Sequence, residues 1–275
     1  MSTNANLHNS RKARNDEYYT KWEDVVAGLE PYHDYFKGKR VLLPCDDGHS
    51  SMFYKYFKEN FHELGLAHLT ATSYNGYRFD YDGATENVVY TDCIPFQRSL
   101  HEEDYDVSVT NPPFSIIKEY YEHAKHKPCI FMGTVMHLKY KGIVEDFFDG
   151  KLYVGYNKWT MAFTTPDGDK KVAYCLFMGT VKPTKAYYKV PKPSKNLDPT
   201  FYNIDGTDII NIDSCRDIPK GYSGKMAVPL SYITFYNPDK YKIIDILRQP
   251  RVNGVKKFDR WVIEECNLAN RHLGG

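Results

Sequence analysis

The stretch from Tyr105 to Phe114, which reads YDVSVTNPPF, decides the expected fold. Its apolar residues Tyr105, Val107 and Val109 alternate with polar ones, which is typical of a β-strand. This strand runs directly into an Asn-Pro-Pro-Phe tetrapeptide at residues 111–114. Because ligand sites of open α/β sheets collect at the carboxyl ends of parallel strands, we expect this tetrapeptide to line a ligand site.

The segments on either side of this strand alternate between strand and helix patterns. Short apolar runs predict strands at residues 40–43, 68–73, 87–90 and 129–132. Helical spacing predicts helices at residues 21–36, with a break at Pro31, at residues 116–126, and after a cap at Ser50 or Ser51. This alternation predicts an α/β, Rossmann-like fold with a mostly parallel, doubly wound sheet flanked by helices.

The pattern changes beyond residue 150, where it predicts antiparallel strands at residues 152–154, 160–163 and 172–181 with a turn at 166–169. Residues 182–200 contain five lysines and four prolines, which indicates an exposed connection. Weaker patterns predict strands at 209–212 and 226–236 and either a helix or a strand at 241–247, before a basic end. The chain is therefore expected to have three parts: a flexible basic arm (1–14), a catalytic domain (15–181) and a carboxyl-terminal extension packed on it (182–275).

Composition excludes several classes of protein. The 275 residues are 42% hydrophobic, which supports a core, but no window approaches the roughly eighteen apolar residues of a membrane span. With no secretory signal pattern either, we expect a cytoplasmic protein, and a monomer by default. The six cysteines form no C-x-x-C pair and His123 and His126 have no third partner, so we expect free thiols and no metal site. The net charge of +1 gives no overall attraction for nucleic acid.

The tetrapeptide at 111–114 suits chemistry on a planar amino group. Adenine N6 is a poor nucleophile because its lone pair is delocalised, and two acceptors, the Asn111 side-chain oxygen and the Pro112 carbonyl, can draw it towards a tetrahedral geometry. Pro112 and Pro113 restrict the backbone, and Phe114 can stack on the base. The alternative is an ordinary turn after a strand, since Asn and Pro are common turn residues. Neither a G-x-G-x-x-G nor a Walker A pattern accompanies the tetrapeptide, which disfavours nicotinamide enzymes and P-loop nucleotidases.

Several motifs in order along the chain resemble the EcoRI-type family of adenine-N6 DNA methyltransferases. They are NDEYYT (15–20), LPCDD (43–47), FYKYF (53–57), TNPPFS (110–115), YVGYN (153–157), DIP (217–219), MAVP (226–229) and YNP (236–238). The resemblance implies a Rossmann-like methyltransferase fold, S-adenosylmethionine as methyl donor and, as acceptor, an adenine rotated out of double-stranded DNA.

The resemblance also assigns roles to particular positions. It implies cofactor contacts at residues 19–20 and in the loop after the first strand, and a weaker one at Asp92 after the third strand. The full set expected to bind the cofactor is Tyr19, Thr20, Pro44, Asp46, Asp47, Asn75, Asp92 and Asn111. Adenine methyltransferases commonly place an acid after the second strand, where this chain reads Thr72 to Asn75. Asn75 or Asp46 is expected to take its place.

Contacts with DNA are expected from basic residues outside the catalytic strip, because binding a duplex needs local rather than net positive charge. The main candidates are Arg11, Lys12, Arg14, Lys182 and Lys185, with Lys189, Lys192, Lys195 and the basic cluster near Lys256 as further ones. The extension is expected to supply recognition elements, in a restriction-modification system or in an orphan or anti-restriction enzyme. Two other hypotheses stay open: the same fold acting on RNA or a protein amide, and a homologue that binds cofactor or DNA without turnover.

Overall fold

The computed structural model describes residues 19–165, 168–184, 201–219 and 221–266. The chain divides into two compact units, residues 1–186 and residues 187–275. The predicted basic arm, the tip of the turn at 166–169 and most of the lysine- and proline-rich connection lie outside the described residues. Each unit is described by itself below.

The described part of the first unit contains one nine-stranded sheet. Its strands are β1 (Tyr19–Thr20), β2 (Arg40–Leu43), β3 (His68–Thr72), β4 (Tyr77–Tyr81), β5 (Glu86–Tyr90), β6 (Val107–Thr110), β7 (Cys129–Thr134), β8 (Tyr153–Thr165) and β9 (Gly168–Gly179). Their spatial order is β1-β8-β9-β7-β6-β2-β3-β4-β5. The strands predicted near 40, 68, 105 and 129 are all present, and the pattern beyond residue 150 forms one long antiparallel hairpin, β8–β9.

The centre of the sheet is parallel and fully covered. β3, β2, β6 and β7 pair in parallel, and β6 and β7 are buried along their whole length. Strands covered on both faces read as apolar runs, which is why these segments were recognisable. From β2 the chain proceeds to β3 on one side and later returns to β6 on the other side. The carboxyl ends of β2 and β6 therefore flank a topological switch point, where open α/β sheets bind their ligands.

The predicted strand at 87–90 exists as β5, but the expectation that it belongs to the parallel series was wrong. β5 pairs antiparallel with β4, a strand that the sequence pattern missed, and β4 pairs antiparallel with β3. The cause is the tight turn after β3, where the Gly76 N–H donates to the Ser73 carbonyl and Gly76 has a φ of +92°. This backbone conformation suits glycine, and it reverses the chain without an intervening helix.

Six α-helices accompany the sheet in the described residues. They are α1 (Trp22–Leu29), α2 (Met52–Glu59), α3 (Phe96–Glu102), α4 (Ile117–Ala124), α5 (Val135–Leu138) and α6 (Ile143–Phe148). The predicted break at Pro31 is confirmed, because a 3₁₀ segment, Glu30–Phe36, follows α1. Of the two candidate caps, Ser51 is used: its Oγ accepts from the N–H groups of Phe53 and Tyr54. No helix in these ranges has the length and apolar composition needed to cross a bilayer.

The core of the first unit lies between α1, α2 and the sheet. Val25 and Leu29 of α1 and Phe57 of α2 are fully buried in one cluster with Phe177 of β9. Gly28 allows the close approach, since a Cβ at this position would lie 2.2 Å from the Phe177 ring. All six cysteines are free thiols, as the sequence predicted.

The second unit contains a small mixed sheet. Its strands, in the order β10-β11-β15-β12, are β10 (Ile210–Asn211), β11 (Met226–Pro229), β12 (Tyr241–Leu247) and β15 (Arg260–Glu265). A separate two-stranded ribbon, β13 (Arg251–Val252) and β14 (Val255–Lys256), lies between β12 and β15 in the chain. The strand predicted at 226–236 ends at Pro229, which has no N–H for a ladder, and a 3₁₀ segment, Leu230–Phe235, follows. The basic end hides the buried strand β15, which the sequence pattern missed.

Candidate active site

A cavity opens at the switch point, beside the carboxyl ends of β2 and β6. Its volume is about 1060 Å³ when the open mouth is included. The sequence-predicted residues that line it come from four separate segments: Tyr19, Thr20, Pro44, Asp46, Asp47, Asn75, Asn111, Pro112, Pro113 and Phe114. The fold thus brings the expected cofactor loop and the expected catalytic strip together.

Asn111 is the first residue after β6, and its side chain is held by a distant segment. Its Nδ2 donates a hydrogen bond to Thr20 Oγ1 at 3.2 Å. Thr20 is itself fixed because it pairs with Phe163 of β8 and is buried. Since the amide nitrogen is engaged by Thr20, the Oδ1 atom, which is buried, is the acceptor end of the amide. The sequence suggested Thr20 as a cofactor contact; the structure adds its contact with Asn111.

Phe114 belongs to an aromatic cluster at the wall of the cavity. Its ring lies 5.4 Å from the ring of His137 and 6.1 Å, edge to face, from that of Phe163, measured between centroids. Burial lowers the pKa of His137 to about 4, so the imidazole is neutral at physiological pH. His137 Nδ1 accepts the N–H of Thr134 at 2.9 Å. A neutral, hydrogen-bonded imidazole supports the Phe114 ring without placing a charge beside it.

Asp46 connects the loop after β2 to the strand that ends at Asn111. One carboxylate oxygen accepts from Ser51 Oγ at 2.6 Å and the other from Thr110 Oγ1 at 2.6 Å. Its backbone N–H donates to the carbonyl of Thr72 at the end of β3. Burial raises the pKa of Asp46 to about 6, against the two hydroxyl hydrogen bonds, which lower it. Asp46 therefore ties together the ends of β2, β3 and β6 and the start of α2.

Asp47 has more room to meet a ligand than Asp46. Its side chain is partly exposed in the cavity wall. Its Oδ1 accepts the N–H of His49 at 3.0 Å and lies 3.0 Å from His49 Nδ1. Its carbonyl accepts from the N–H groups of Ser50 and Ser51, so the loop into α2 is a compact turn. This geometry leaves a carboxylate at the cavity that is oriented by its own loop.

Of the two cofactor contacts predicted after β3 and β5, Asn75 lines the cavity and Asp92 does not. Asn75 is exposed and lies in the lining, in the turn after β3. Asp92 is exposed and lies outside the lining, because the strand before it, β5, is the second strand of an antiparallel hairpin at the sheet edge. Two buried residues that the sequence reasoning missed, Ile94 and Phe96, line the cavity instead, along with Met52 and Phe53 of α2. Their signal was apolar residues just before or within the first turn of a helix, which resembles ordinary core.

Most of the predicted DNA contacts lie outside the residues that the structure describes. Arg11, Lys12, Arg14 and Lys185 lie outside the described residues. Lys182 is described, and it is exposed after the end of β9. DNA binding by these five residues therefore stays a prediction.

The fold is that of a Rossmann-like α/β methyltransferase, and a cavity lies at the switch point of its sheet. The chain belongs to the family described as "Adenine-specific methyltransferase EcoRI", whose model matches residues 6–94, 99–190 and 182–271. It is an adenine-specific methyltransferase, and both its family and its fold imply a methyl donor of the S-adenosylmethionine type.

Two relatives match over nearly the whole chain. The type II methyltransferase M.EcoRI of Escherichia coli is 26% identical, covering 96% of this chain and 94% of its own length. The type II methyltransferase M.MpnI of Mycoplasma pneumoniae is 28% identical, covering 89% and 86%. A solved structure from Pyrococcus horikoshii superposes on 60% of this chain and 87% of its own with a TM-score of 0.40 and 11% identity, which is too distant to bear on function.

Proposed function

We propose that the protein transfers a methyl group from S-adenosylmethionine to N6 of an adenine rotated out of double-stranded DNA, as the modification enzyme of a restriction system. The observation that carries the proposal is the position of Asn111. It directly follows β6 at the switch point, lies in the cavity wall, and donates its amide N–H to Thr20. An adenine in a duplex reaches such a cavity only after rotation out of the stack.

The catalytic strip acts by holding the acceptor nitrogen. Asn111 Oδ1 and the Pro112 carbonyl each accept one N6 hydrogen, which turns the nitrogen lone pair towards the incoming methyl group. Pro112 and Pro113 fix the backbone before the substrate arrives, so little reorganisation is needed. Phe114, packed against His137 and Phe163, stacks on the base and offsets part of the unstacking cost.

The lining of the cavity fits a nucleoside cofactor. Ile94, Phe96 and Met52 offer an apolar wall suited to a purine ring, and carboxylates and an amide lie at the same cavity. We assign binding of hydroxyl and ammonium groups to Asp47 and Asn75, with Tyr19, Thr20 and Pro44 as further contacts. Asp46 acts mainly by positioning, since both of its oxygens already accept hydroxyl hydrogen bonds.

S-adenosylmethionine, when bound, supplies a methyl group on a sulfonium sulfur that leaves as a neutral thioether. The protein's part is alignment of donor and acceptor, which requires no strong general base. We further propose that it acts as a monomer in the cytoplasm, where its DNA is found, with Lys182 and the basic arm contacting phosphates. The family match disfavours an RNA or protein-amide acceptor.

The test is transfer of radiolabelled methyl to unmethylated genomic DNA, followed by nucleoside analysis. We expect N6-methyladenine from the wild type and a fall in kcat of about 10²- to 10³-fold in Asn111→Ala, because one preorganised hydrogen-bond partner is lost. Cofactor affinity, measured by calorimetry, should stay within a few-fold. Asn87→Ala, in the exposed strand β5, is the matched control and should behave as wild type. Unchanged turnover in Asn111→Ala would contradict the role of Asn111, and no transfer by the wild type would contradict the proposed function.

A further inference from the structure

The segment that connects β12 to β15, residues 248–259, forms a compact basic ribbon. Its two short strands, β13 and β14, are joined by a two-residue turn at Asn253 and Gly254, with φ values of +50° and +77°. Positive φ at both central residues is the signature of the tight turn that matches the twist of a two-stranded ribbon. We call residues 248–259 the basic ribbon.

One side of the basic ribbon is fixed to its unit. The Asp205 carboxylate accepts the N–H groups of Asn253 and Gly254 at 2.8 and 2.9 Å, and the Asp205 N–H donates to the Arg251 carbonyl at 2.9 Å. Val252 is buried with Ile204 in a small apolar cluster. Hydrogen bonds to its backbone and burial of the Val252 side chain therefore hold the turn in place. The remaining side chains of the ribbon project from this fixed turn.

The outward side carries cations and two large apolar residues. Arg251 and Lys256 are exposed, and Arg251 also donates from Nη1 to the Gly254 carbonyl at 2.7 Å. Lys257 and the buried Arg260 of β15 are engaged with Asp213 at 3.2 and 3.1 Å. Val255 is 63% exposed and Phe258 is 87% exposed, more than any other large hydrophobic residue in the described ranges. An exposed phenylalanine contributes no burial energy to folding, and its position beside exposed cations and an exposed valine points to a partner surface.

We propose that the basic ribbon is a DNA contact, in which Arg251 and Lys256 bind backbone phosphates and Phe258 packs against an exposed base or sugar. The major groove of B-DNA admits a two-stranded ribbon, and phosphate neutralisation is the use that exposed Arg and Lys serve on such a surface. Aromatic side chains contribute through stacking where bases are unstacked. This inference rests on the proposed function, which supplies duplex DNA as the partner.

The test uses the full chain and an unmethylated genomic DNA fragment, with the dissociation constant measured by fluorescence anisotropy between about 50 and 200 mM salt. In the Arg251→Gln/Lys256→Gln double variant, the slope of log Kd against log salt should fall in magnitude by about 1.8, or 0.9 for each lost phosphate contact. Phe258→Ser should weaken binding by about 5- to 150-fold with the slope unchanged. Lys242→Gln, an exposed cation on β12 outside the ribbon, is the control and should alter the slope little.

The outcomes separate this inference from the proposed function. All four substituted residues are exposed, so circular dichroism should show unchanged folding. If the wild type methylates DNA but the ribbon variants bind it with the wild-type affinity and slope, the ribbon assignment is wrong and the proposed function stands. An equal effect of Lys242→Gln would assign the loss to net charge and would also overturn the ribbon. If the wild type neither binds nor methylates DNA, both fail.

Discussion

Asp46 carries a carboxylate into a buried site, and replacing it with Asn should change how stability depends on pH. Only 6% of the residue is exposed, and its oxygens accept the Ser51 and Thr110 hydroxyls. Asn is nearly isosteric, and the hydroxyl groups can rotate to meet its amide. The substitution therefore removes the titrating group while keeping the shape of the site.

The magnitude follows from the pKa of Asp46, which burial raises from 3.8 to about 6. A folded pKa above the unfolded value means that the contribution to stability is fully present below the unfolded pKa and is lost as pH rises through the folded pKa. The difference of about 2 units corresponds to about 3 kcal/mol, of which about 2 kcal/mol falls between about pH 4 and pH 8. The free energy of unfolding of Asp46→Asn minus that of wild type should thus rise by about 2 kcal/mol over this range.

Urea unfolding of both proteins at about pH 4 and pH 8 measures this difference, and subtracting the wild type removes the titration of all other groups. Asn87→Ala, on the exposed strand β5, should show no change in the difference with pH. A difference independent of pH would refute the claim that a buried charge is being removed. A difference that falls with rising pH would show that the two hydroxyl hydrogen bonds outweigh burial.

Two further predictions concern the cavity. Thr20→Val keeps the side-chain shape but removes the oxygen that accepts from Asn111, so kcat should fall about 5-fold, as expected for one hydrogen bond, and Thr20→Ser should restore it. Steady-state kinetics measures both variants. A wild-type kcat in Thr20→Val would show that this contact does not position the amide. Asp47→Asn should weaken S-adenosylmethionine binding by about 10-fold or more, because a hydrogen bond to a charged group is lost. Asp46→Asn should weaken this binding only a few-fold. Calorimetry measures both dissociation constants, and the reverse order would contradict the assignment of Asp46 to positioning.

Local patterns predicted the centre of the sheet and the position of Asn111 at the end of one of its strands. Residues 40–43 and 105–110 read as strands because their apolar residues are covered on both faces, and Asn111 follows the second of them directly. Local patterns failed at the sheet edge and in the second unit. β4 reads as polar and aromatic because the edge hairpin is only half covered, and β15 is preceded by basic residues that resemble an exposed tail.

The sequence by itself determined that the chain is a Rossmann-like methyltransferase of this family, since periodicity, turn residues and motifs are local properties. Only the tertiary structure decided what surrounds Asn111. Thr20 lies 91 positions away and Asp46 lies 64 positions from Thr110, yet hydrogen bonds of 3.2 and 2.6 Å join these pairs. Such pairings depend on which strands become neighbours in the folded sheet. Strand order is set by contacts between residues far apart in sequence, so a local pattern does not contain it.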